Sequence, residues 1–192
     1  RLRLGTAVMV LPWHNPVLLA EQAATLDLLS GGRLDFGIGK GYRYNEFAGF
    51  RMSMEDADAR FDECLEVLLK AWTADEPFSY RGKHWEFDNI VVEPPPAQKP
   101  HPKIWMGAGS ESSIRRVAAQ GFNLLLGQYA SLTSVASHIA TYKAEVEARG
   151  RDSADQARAE VVLLRVGLQV GEQPDKRRDG AVVRGGRQHV AR

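Results

Sequence analysis

Cysteine is nearly absent: Cys64 is the only one in 192 residues. That excludes an internal disulfide and a cysteine-rich zinc site. It also fits a reducing compartment, so a cytoplasmic location is expected. No sign of charge dominates. The 25 Lys and Arg against 24 Asp and Glu leave a net charge of +1, which gives no electrostatic case for nucleic acid or an acidic membrane surface as a partner. Long hydrophobic runs are missing, and the longest are strand-sized, well short of a membrane span. The start carries no secretory signal. His14, His84, His101 and His138 lie far apart and show no metal-ligand spacing. No nucleophile elbow or Cys–His pairing is visible. An initiator Met is lacking as well, and the chain opens inside a strand-like run, Arg1 to Val10. Upstream sequence is therefore expected to be missing.

The composition itself is that of a globular domain, 44% hydrophobic and 26% charged, and the length suggests a single domain with a sizeable core. Leu2 to Val10 reads as a largely buried strand. Asn15 before Pro16 marks a helix start. Leu19, Ala23, Leu26 and Leu29 fall near one face of that helix, and Ser30-Gly31-Gly32 ends it. Leu34 to Ile38 is a second strand, followed by a glycine-rich loop from Gly39 to Phe47. A strong helix is written from Met54 to Trp72, with Phe61, Cys64, Leu65, Leu68, Leu69 and Trp72 on its apolar face. Phe78 to Val92 suits a hairpin, and Pro94-Pro95-Pro96 with Pro100-His101-Pro102 an extended connector. Lys103 to Met106, Phe122 to Leu126 and Val161 to Val170 complete five strands, with helices ending near Gly121 and spanning Thr133 to Ala148. This alternation predicts parallel β/α units, either an open doubly wound sheet or part of a barrel, since a full barrel needs eight such units. Residues 1–171 form the expected domain. Residues 172–192 are rich in Arg and Gly and are expected to be a disordered tail without function.

Two strand ends carry candidate chemistry. In Ile104-Trp105-Met106-Gly107-Ala108-Gly109-Ser110-Glu111-Ser112-Ser113 a strand turns into a helix through small residues. Backbone N–H groups and the positive end of the helix dipole there favour an anion. Gly107 and Gly109 admit a bulky group to the backbone, and Ser110 and Ser113 offer hydroxyls. The same spacing equally fits Ser110 as a plain helix cap. Neither a dinucleotide fingerprint nor a P-loop lysine is present, so a mononucleotide phosphate fits better than either ligand. At the other strand end Lys40 stands between Gly39 and Gly41, a cation where ligands bind in α/β folds. A solvated loop lysine is the alternative. Glu21 and Glu46 stand without a visible partner. Trp13, Tyr42, Tyr44 and Phe47 suit either a pocket lining or local packing.

Several of these segments together resemble the luciferase-like, flavin-dependent monooxygenase family. They are Leu4 to Pro12, Asn15 to Glu21, Leu26 to Gly41, Glu46-Phe47, Pro102 to Ser110 and Ala118 to Gly121. The resemblance is close from Arg1 to Leu126 and looser to about Val170. It implies an α/β fold, a partial (β/α)8 TIM-type barrel of about five parallel strands with outer helices and unsealed lateral edges. It implies reduced FMN as cofactor, dioxygen and a small organic molecule as substrates, a flavin reductase as partner, and a homo-oligomer when intact. Lys40 falls where luciferases carry a phosphate-binding Arg. Ser110 and Ser113 fall at the same phosphate, and Gly109 would act there through its backbone. Ala7 and Val8 fall at a non-proline cis peptide beneath the flavin ring. The catalytic residues are expected upstream of Arg1. A deazaflavin-dependent dehydrogenase or reductase on the same barrel, or an inactive flavin-fold fragment, is the alternative reading.

Overall fold

The computed structural model describes residues 2–127 and 130–151, and the backbone of 159–161. The greater part of the expected fifth strand, the boundary at residue 171 and the Arg/Gly tail lie outside the described residues. The first strand is split into β1 (Leu4–Gly5) and β2 (Met9–Val10), both parallel to β3 (Leu34–Gly39). β3 in turn pairs with β6 (Lys103–Ala108), then β7 (Asn123–Leu126), then β8 (Ala159–Val161), all parallel. β4 (Phe78–Arg81) and β5 (Glu86–Ile90) form the expected antiparallel hairpin apart from this sheet. The helices are α1 (Pro16–Ser30), α2 (Tyr44–Gly49), α3 (Ala57–Thr73), α4 (Glu111–Gln120) and α5 (Leu132–Ala148).

The sheet is a curled half-barrel, and its helices lie on one side of it. Alternate strand residues, Leu34, Phe36 and Ile38 with Ile104 and Leu124, share one apolar cluster with Leu19 of α1, Leu68 of α3, Ile114 of α4 and Tyr142 of α5. Trp105 and Leu125 are buried but stand outside that cluster, on the opposite face of the sheet. A doubly wound sheet, covered on both faces, is thereby excluded among the described residues. Trp72 ties α3 to both neighbours: its ring meets Phe36 edge-on at 5.5 Å, and its Nε1 donates to the Ala20 carbonyl at 3.0 Å. No helix among the described residues is long and apolar enough to cross a membrane.

Local sequence explains the element ends. The Asn15 side chain accepts from the N–H groups of Val17 and Leu18, starting α1, and Gly31 ends it at φ 65°. The buried Asp27 carboxylate then accepts from the backbone N–H of Gln98 at 2.8 Å, which seats the proline-rich connector against α1. Glu63 of α3 accepts from the backbone N–H groups of Lys83, His84 and Trp85 at 2.8, 2.9 and 3.1 Å, holding the hairpin turn. Burial pushes the Glu63 carboxyl up, but those three bonds outweigh it and leave its pKa below the ordinary value.

Three expectations need correction. The first strand is an outer strand, with Leu2 and Leu4 exposed rather than buried. The buried face of α1 is Leu19, Ala20, Ala23, Ala24 and Asp27, while Leu26 and Leu29 are 40% and 81% exposed. The loop after β3 contains a short helix, α2, because Phe47 anchors it in full burial.

Candidate functional site

A pocket of about 600 Å³ opens at the carboxyl ends of β3, β6 and β7, and it brings Ala7, Val8, Lys40, Gly109, Ser110 and Ser113 together. Its lining has two chemistries. Ala7, Val8, Val10, Met106 and Leu125 make an apolar wall, and Lys40, Ser110, Ser113 and Arg116 a polar one. Tyr42 and Glu46 also line it.

Glycines make room for this pocket in two ways. On β3 they admit the first strand. A Cβ at Gly37 would fall 1.8 Å from the Thr6 carbonyl oxygen, and one at Gly39 would fall 2.6 Å from Val8 Cγ2. At Gly109 and Gly127 a Cβ would meet nothing within 4 Å. Those two positions leave open space in the pocket wall rather than space that the protein itself fills. The peptide bond between Ala7 and Val8 is cis, as the family resemblance implies.

Ser110 does cap α4. Its Oγ accepts from the Ser113 N–H at 3.3 Å, and Ser113 Oγ accepts from the Ser110 N–H at 3.0 Å. The capping reading of the sequence holds, and the two capping serines also line the pocket. Lys40 Nζ donates to Asp58 Oδ1 at 2.8 Å. Arg116 pairs with Asp62, with its guanidinium 5.5 Å from the centre of the Phe61 ring. Asp58 and Asp62 are one helical turn apart on α3, so one face of that helix holds both pocket cations. Trp13 and Phe47 pack on each other, with ring centres 5.5 Å apart. For these two residues local packing is the reading that holds. Glu46 pairs with Arg43 at 3.8 Å. Glu21, Tyr44, His14, His84, His101 and His138 are not part of the pocket lining.

Sequence reasoning missed Asp58 and Arg116. Both lie on polar helix faces that look merely solvated, and only the fold carries them to the strand ends. Met106 and Leu125 were legible as strand core but not as pocket wall.

A sequence profile described as luciferase-like monooxygenase matches residues 1–191. Among curated proteins, the oxygenase component of flavin-dependent trigonelline monooxygenase from Acinetobacter baylyi is 33% identical over 124 residues, 64% of this chain and 34% of that protein. The FMNH2-dependent dimethylsulfone monooxygenase of Pseudomonas putida is 28% identical over 175 residues, 83% of this chain and 47% of that protein. Among solved structures, the monooxygenase RslO1 from Streptomyces bottropensis superposes with a TM-score of 0.74 at 29% identity, covering 83% of this chain and 49% of that one. The chain thus spans about a third to a half of the length of these relatives. It belongs to the luciferase-like monooxygenase family.

Proposed function

We propose that the protein is a flavin-dependent monooxygenase and that this chain supplies the FMN pocket of its barrel. The observation that carries the reading is the convergence of Ala7, Val8, Lys40, Gly109, Ser110 and Ser113 on one pocket with an apolar and a polar wall. A planar isoalloxazine ring suits the apolar wall. A phosphate suits Lys40, the two serine hydroxyls and the positive end of α4. The open space at Gly109 and Gly127 fits an occupant that reaches the backbone. Bound reduced FMN would supply the electrons that activate dioxygen. The residues of this chain bind and orient the cofactor, and Val8, Val10 and Leu125 keep water from its ring.

The substrate in this reading is a small organic molecule, and a separate flavin reductase supplies the reduced cofactor. The description of the Acinetobacter relative as an oxygenase component supports that division of labour. We assign the protein to the cytoplasm, in keeping with its single cysteine.

Titration of the chain with FMN, riboflavin and a deazaflavin coenzyme, followed by fluorescence, tests the reading. FMN should bind at least about ten-fold tighter than riboflavin, because a charge-assisted phosphate contact contributes about 1.5–3 kcal/mol. Equal affinities would remove the phosphate assignment. Tighter binding of the deazaflavin would move the protein to the dehydrogenases and reductases of the same barrel.

A further inference from the structure

The first strand changes register against β3 in the middle of its length. Leu4 and Gly5 pair with Leu34 and Asp35, whereas Met9 and Val10 pair with Ile38 and Gly39. From Gly5 to Met9 the outer strand advances four residues while β3 advances three. One extra residue is therefore accommodated between β1 and β2, as in a β-bulge. A slip of one residue exchanges the two faces of everything beyond it. With uninterrupted pairing Val8 would lie beside Ile38 and Met9 beside Gly39. With the slip, Met9 packs against the helix-side core, and Val8 and Val10 line the pocket. The slip is what furnishes the pocket with this part of its apolar wall.

A slip interrupts the backbone ladder, and one side chain repairs it. Thr6 Oγ1 donates to the Gly37 carbonyl at 2.7 Å and accepts from the Gly37 N–H at 2.9 Å. A single hydroxyl thus serves both backbone groups of Gly37 where the slipped strand offers none. The fit needs close approach, since a Cβ at residue 37 would meet the Thr6 carbonyl oxygen at 1.8 Å. Val8 is then seated over the next glycines, with its methyl groups 2.6 Å from a Cβ built at Gly39 and 3.7 Å from one built at Gly107.

We propose that Thr6 is a positioning residue for the flavin ring: its hydroxyl, bonded to both backbone groups of Gly37, holds the register slip that sets Val8 and Val10 in the pocket wall. The proposal rests on the flavin reading above and concerns the ring end of the ligand, not its phosphate. Thr6→Val keeps the shape and β-branching and removes both bonds, whereas Thr6→Ser keeps the hydroxyl.

The test measures riboflavin and FMN affinity for the wild-type chain and both variants. Thr6→Val should weaken riboflavin about ten-fold and leave the ratio of FMN to riboflavin affinity unchanged, because that ratio reads Lys40, Ser110 and Ser113. Thr6→Ser should remain within about two-fold of wild type. Unchanged riboflavin affinity in Thr6→Val, or an equal loss in Thr6→Ser, overturns the proposal. If Thr6→Val does not fold, amide exchange in the wild-type chain decides: the Gly37 N–H should be protected, and rapid exchange overturns the assignment. A wild-type chain that binds neither flavin overturns the flavin reading itself, and this proposal with it. A chain that binds flavin indifferently to Thr6→Val overturns this proposal alone.

Discussion

β3 presents two faces with different compositions. Towards the helices it places Leu34, Phe36 and Ile38, all nearly inaccessible to solvent. On its other face it places Asp35, Gly37 and Gly39, and the two glycines are occupied by atoms of the first strand. The helix face gains its stability from large side chains that fill space. The pocket face gains its shape from side chains that are missing, so that Thr6 and Val8 can approach the backbone. The same strand is therefore tolerant of volume on neither face, but for opposite reasons: one side loses by truncation and the other by addition.

The largest effect should come from truncating the helix side. Leu68, wholly buried on α3, leaves a cavity when replaced by Ala, at a cost of about 2–5 kcal/mol. Urea denaturation should show a lowered midpoint, and an unchanged midpoint would mean that this face collapses without loss. Next comes addition on the pocket side. Gly37→Ala places a methyl group against the Thr6 carbonyl, and the backbone must shift at a cost of about 1–3 kcal/mol. Gly109→Ala is the control for that claim. Its Cβ meets no protein atom, so stability should change by less than about 0.5 kcal/mol while FMN binding weakens. If Gly37→Ala were as benign as Gly109→Ala, the contrast between filled and open glycines would fail. The smallest effect belongs to Asp58→Asn. It frees Lys40 from an exposed ion pair worth about 0.2–1 kcal/mol, so FMN should bind up to about five-fold tighter. Weaker binding would give Asp58 a different role.

The same contrast explains what the sequence made legible. Apolar spacing of three and four along α3 located Leu68 and Trp72 correctly, because none of its charged residues is buried. It gave the wrong direction for part of α1, which is apolar nearly all round and so points nowhere. There, Leu26 and Leu29 face outward, and the buried polar Asp27 marks the inward side through its bonds to Gln98. The first strand is apolar enough to read as buried, yet it lies outermost among the described strands, and no local pattern announces its register slip. For the site, Lys40 between glycines and the Gly-Ala-Gly-Ser turn were legible as strand-end features. That they share one pocket is a fact of the parallel order β3–β6–β7. Asp58 and Arg116 were not legible, since a charged residue on a polar helix face looks the same whether or not a strand end lies beside it.

The central claim is that the polar wall of this pocket holds the phosphate of FMN, and Lys40 tests it most directly. FMN and riboflavin affinities are to be measured side by side for the wild-type chain and for Lys40→Ala. The account predicts that Lys40→Ala loses roughly ten-fold or more in FMN affinity with riboflavin affinity unchanged, so that the preference for the phosphorylated flavin collapses. An unchanged FMN affinity, or an equal loss for both flavins, would contradict it.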